Sequence, residues 1–94
     1  MEPITERQLD LFFAYYHRLL VHMGWSQEKA ALAREQLIAG ALYRQSWRWS
    51  APMRVAWEAA GIAGKPSCKP LFDAVREIAC QNPDHKAMLE SIEH

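Results

Sequence analysis

A chain of 94 residues, half of them apolar and fewer than a quarter charged, has the composition of one ordinary globular domain spanning residues 1–94, and not of a disordered segment. Eleven basic side chains balance eleven acidic ones, which argues against a globally basic nucleic-acid binder. A membrane span needs about 20 apolar residues in a row, and a core this small leaves little room for an enclosed substrate cavity, so size lowers the expectation of an enzyme.

Helix signals dominate the chain. Thr5 to Gln8 reads TERQ, a capping box in which the Thr5 hydroxyl accepts from the Gln8 N–H and the Gln8 side chain reaches back. Leu9, Phe12, Phe13, Tyr16, Leu19, Leu20 and Met23 then recur at three- and four-residue steps, and Gly24 is a natural stop. The first helix is expected over about 5–23. Ser26 is the expected N-cap of a second helix over about 27–45, with Glu28 in its first turn. Ala30, Ala33, Leu37 and Ala41 form one line on it, with Ala31, Ile38 and Leu42 beside them. Gly40 marks close packing or a bend.

Ser50 and Pro52 open a short third helix bearing Met53, Ala56, Trp57 and Ala60, which Gly61 ends. GIAGKPSCKP is a loop. A fourth helix starts near Pro70 with Leu71, Phe72, Val75, Ile78 and Ala79 inward, and Asn82–Asp84 caps a fifth. No stretch of four or more residues alternates with period two. The expected class is all-α: four or five short helices round one core, as a bundle or an orthogonal array.

Charge is unevenly spread. Residues 40–70 carry a net +4 and residues 71–94 a net −3. Cys68 and Cys80 are expected to sit roughly 15 Å apart along a helix, too far for a disulfide, whose Cα atoms lie within about 7 Å. Free thiols and a polar, acidic N-terminus without a secretory pattern point to the reducing cytoplasm.

No chemical motif stands out. Cys68, Cys80, His85 and His94 match no zinc-ligand spacing, and no metal or cofactor is expected. Cys68 lies between Lys65 and Lys69, which favours a thiolate, but no histidine has a sequence-based reason to join it, so a thiol enzyme is a distant third reading. GIAGKPS lacks the spacing of a phosphate loop and follows a helix. Residues 52–80 resemble a helix-turn-helix, helix then glycine turn then helix in a basic region. Their turn is nearly twice the usual length, and Asp73 and Glu77 stand where basic or polar reading residues belong.

The densest feature is YRQSWRWSAP, residues 43–52. Trp47 and Trp49 oppose each other on a helix and share a side in an extended linker. Neither geometry easily puts both in one core, whereas Trp25 and Trp57 adjoin helix ends with apolar neighbours. Exposed Trp and Arg are the residues of protein-binding hot spots. Base stacking and a simple roof over the helix junction, with arginines stacked on the rings, are the competing uses. The first helix adds Leu11, Tyr15, Arg18 and His22 on a second face, which suggests a homodimer interface unless the other helices surround it.

The leading expectation is a non-enzymatic regulator or inhibitor. It docks a host or cellular protein through Tyr43, Arg44, Trp47, Arg48, Trp49 and Arg54, with no small-molecule substrate and no membrane insertion. In size and style such a chain is similar to regulators carried by phages and mobile elements. The alternative is a DNA-binding transcriptional regulator using residues 52–80.

Overall fold

The computed structural model describes residues 3–79 and 81. Four helices follow in order: α1 (Glu6–His22), α2 (Gln27–Leu42), α3 (Ala51–Ala59) and α4 (Cys68–Ala79), with no strand among the described residues. The fold is all-α. The expected fifth helix lies outside the described residues.

α1 is the central element. Its capping box forms as read: the Gln8 N–H donates to Thr5 Oγ1 at 3.1 Å and the Thr5 N–H donates to Gln8 Oε1 at 3.0 Å. The remaining Gln8 amide donates to the carbonyl of Gly61 at 3.0 Å, which ties the start of α1 to the end of α3. Leu9, Phe12, Phe13, Tyr16 and Leu20 make the buried stripe. α2, α3 and α4 all pack against this helix. Its second face is therefore consumed within the chain: Leu11 and Tyr15 are half-buried against the core, and only Arg18 and His22 stand in solvent.

The first three helices end in one backbone motif. In α1 the N–H of Gly24 donates to Val21 and that of Trp25 to Leu20, and in α3 Gly61 donates to Glu58 and Ile62 to Trp57. This paired closure satisfies the last carbonyls and needs one residue in the left-handed region, which Gly24 and Gly61 supply at φ 103° and 76°. α2 closes the same way, Arg44 donating to Ala41 and Gln45 to Gly40, yet its left-handed residue is Arg44 at φ 54°. α2 thus stops at Leu42 rather than near residue 45. A side chain in that conformation costs about 1–2 kcal/mol, which the motif and its surroundings hold in place.

Two contacts to α4 support this end of α2. Arg76 Nε donates to the Leu42 carbonyl at 3.0 Å, and Arg44 faces Asp73 at 3.7 Å. The second pair is more than half exposed and contributes little. α4 itself begins at Cys68, two residues earlier than expected, with Pro70 in its first turn where no N–H is needed. Leu71, Phe72, Ala74 and Val75 are its buried residues.

The link from α2 to α3 is extended, and this changes the fate of the tryptophans. Side chains two apart on an extended backbone point the same way. Trp47 and Trp49 both turn inward, with ring centroids 5.8 Å apart, while Arg48 between them is exposed. Trp47 meets Phe72 of α4 edge-on at 5.1 Å. Trp49 meets Trp57 at 5.4 Å and Phe12 at 6.2 Å, and Phe12 packs on Phe13 at 5.2 Å. Six rings thus cross the core from α4 to α1 and α3, in the offset and edge-on geometries aromatic quadrupoles favour. Trp57, 2 % exposed, donates its indole N–H to the Gly64 carbonyl at 3.3 Å.

Candidate functional site

The structure separates the residues expected to form one docking patch. Trp47 and Trp49 are half-buried and packed on the core, so they are not the exposed pair a hot spot needs. Both enter the core because an extended link, not a helix, holds them. Arg44 serves the helix end and faces Asp73. Tyr43, 45 % exposed, and Arg48 and Arg54 remain on the surface. Trp25 reverses its expected role: it is 43 % exposed.

The helix pair of residues 52–80 also differs from the motif it resembles. α3 packs chiefly on α1, and α4 on α2 and α1, so the helices flanking the glycine loop are not each other's main neighbours. A DNA-reading pair is held by packing of its two helices. Asp73, on the would-be reading helix, faces Arg44.

Cys68 is half-buried at the start of α4. Cys80, His85 and His94, the other members of the set weighed as zinc ligands, lie outside the described residues. Among the described residues no three His, Cys, Asp or Glu side chains gather as metal ligands, and no helix is long and apolar enough to cross a membrane.

A different surface emerges beside α2. A cleft of about 460 Å³ runs between α2 and the α2–α3 link. Ala33, Leu37, Gly40, Trp47, Met53 and Tyr16 line its apolar part. Trp25, Lys29, Leu32 and Gln36 lie along it on the α2 side, and Gln45 and Ser46 on the link side. Leu32 is 55 % exposed. Lys29 to Gly40 covers about 16 Å of helix, or three turns. Tyr16, one of the lining residues, has its phenol raised above the ordinary value of 10.0 by burial. Trp47 packs across Gly40, its ring 3.6 Å from where a Cβ would stand, and this close approach shapes the wall.

Trp25, Lys29 and Leu32 were missed as site residues in the sequence. One signal was available. Leu32 lies about 140° round the helix from Leu37, outside the line that faces the core. It is a leucine on a solvent-facing edge.

The fold and the cleft define the class: a small all-α domain with open, aromatic-walled grooves. No protein-family model, curated protein or solved structure matches the chain.

Proposed function

We propose that the protein is a binding module, acting as a regulator or inhibitor of a partner protein by docking it and not by chemistry of its own. The docking surface is the cleft beside α2. The observation behind this reading is the pairing of an apolar floor with two large apolar side chains, Trp25 and Leu32, left in solvent at its edge. An apolar centre ringed by polar groups is the anatomy of a protein interface, and exposed tryptophan is enriched in hot spots.

The shape selects the occupant. A groove three turns long beside a helix accommodates an amphipathic helix that inserts residues at i, i+3/i+4 and i+7. Lys29 is the charged residue of the lining, so the inserted helix carries an acidic side chain near that end. The contact is small, which suits a transient complex.

Site-specific photo-crosslinking tests this. A crosslinking residue replaces Leu32 in one sample and Val55, exposed on α3, in another, with and without nuclease. The expected result is one protein captured from position 32 and not from 55, through an apolar and acidic helical segment, with capture lost in Lys29→Glu. Capture of nucleic acid, or equal capture from both positions, overturns the reading and favours the DNA-binding alternative in the first case.

A further inference from the structure

The cleft beside α2 contains a polar group that the fold itself does not use. Tyr16 of α1 is 7 % exposed and lines this cleft. Its hydroxyl makes no hydrogen bond among the described residues. The side-chain atoms sealed from solvent without a partner are His17 Nδ1 and Trp47 Nε1. The Tyr16 oxygen is therefore not sealed, and it opens on the cleft that its side chain lines. A polar group so deeply set and still unpaired is uncommon, because leaving water without a new hydrogen bond is costly.

The hydrogen bonding of the lining is one-sided. Trp47 adds a second donor without an acceptor, and Lys29 contributes an ammonium on the α2 side. Among the described residues no carboxylate lines the cleft. Ala33, Leu37 and Gly40 have no side-chain acceptor to offer. A guest that fills the cleft therefore has to bring the acceptor itself. The apolar floor selects a neutral one. A carboxylate placed beside Leu37 and Met53 loses its hydration at high cost, whereas an amide oxygen loses less and gains a bond. A lysine or arginine brings a second positive charge to a lining that already holds Lys29.

We infer that the helix docked beside α2 carries an asparagine or glutamine among its inserted residues, and that its amide oxygen accepts from the Tyr16 hydroxyl. This rests on the docking surface proposed above and names the residue of the partner that it selects. Trp25 and Leu32 supply apolar contact to any amphipathic helix. Tyr16 chooses between helices, because a leucine at the same position leaves the hydroxyl buried and unpaired.

The test uses a displayed library of 14-residue amphipathic helices and the full chain as bait. Each inserted position, i, i+3, i+4 and i+7, is varied among Leu, Asn, Gln and Glu. The expected result is that the unaltered chain prefers Asn or Gln over Leu at one of these positions by about 5- to 10-fold, as one buried hydrogen bond implies. With Tyr16→Phe as bait the preference at that position reverses to Leu. The variant is expected to keep its Tm, since the hydroxyl bonds nothing among the described residues. A fall in Tm of more than about 4 °C shows that the hydroxyl already has a partner in the free protein, and overturns the inference. Preference for Leu or Glu at every position, or the same amide preference from both baits, also overturns it. Leu32→Ser as a third bait separates the two readings. Helices that bind the first two baits alike and are lost from the third leave the docking surface standing and remove only the role of Tyr16. Failure of every helix to bind the unaltered chain removes both.

Discussion

α1 and α2 look alike in one respect and end up differently. Both carry apolar residues over more than one face. α1 lies between three helices, and its second face, Leu11 and Tyr15, is packed away. α2 packs chiefly on α1 and α4, and Leu32 stays bare beside an open cleft. Excess apolar surface on a helix therefore does not locate a partner. The position of the helix among its neighbours decides which surplus is absorbed and which remains.

The strongest check on this comparison is Phe12→Ala. Phe12 is fully buried at the centre of the aromatic run, and its loss is expected to cost about 3–5 kcal/mol in urea unfolding. That approaches the whole stability of a small domain. A cost below about 1 kcal/mol breaks the picture of α1 as the central helix.

Next is the double change Trp47→Ala with Trp49→Ala. Two half-buried rings, each contributing about half of a full aromatic truncation, imply a loss of about 3–5 kcal/mol and a clear fall in Tm. An unchanged Tm would return both rings to the surface and restore them as docking residues.

Leu11→Ala and Leu32→Ala compare the two second faces directly. The half-buried Leu11 is expected to cost about 1–2 kcal/mol. The exposed Leu32 is expected to stay within about 0.5 kcal/mol. Equal costs erase the distinction between the helices.

The last change runs in the opposite direction. Arg44→Gly relieves a left-handed side chain at the end of α2 and gives up only a solvated ion pair, so stability rises by roughly 0.5–1 kcal/mol. A loss of stability on thermal unfolding means that the Asp73 contact outweighs the backbone term.

Much of the fold was legible in the chain because its signals are local. The Thr5–Gln8 box, the Gly24 and Gly61 stops, and the three- and four-residue spacing of Leu9 to Leu20 each depend on neighbours within one or two turns. The end of α2 was not legible, because its closing motif uses Arg44 where the pattern leads one to expect glycine. Trp25 was misplaced for a different reason. Adjacency to a helix boundary says nothing about which side of the boundary faces the core.

By itself, then, the sequence determined an all-α class, four of the helices with most of their ends, and the inward stripe of α1, since hydrogen bonding and hydrophobic periodicity act over a few residues. Only the tertiary structure decided that residues 43–49 leave the helix and turn two tryptophans inward, and that α1 is enclosed while α2 is not. It also decided that an open cleft lies between α2 and the α2–α3 link. Those outcomes depend on which surfaces meet across the chain, and burial is a property of the meeting, not of the residue.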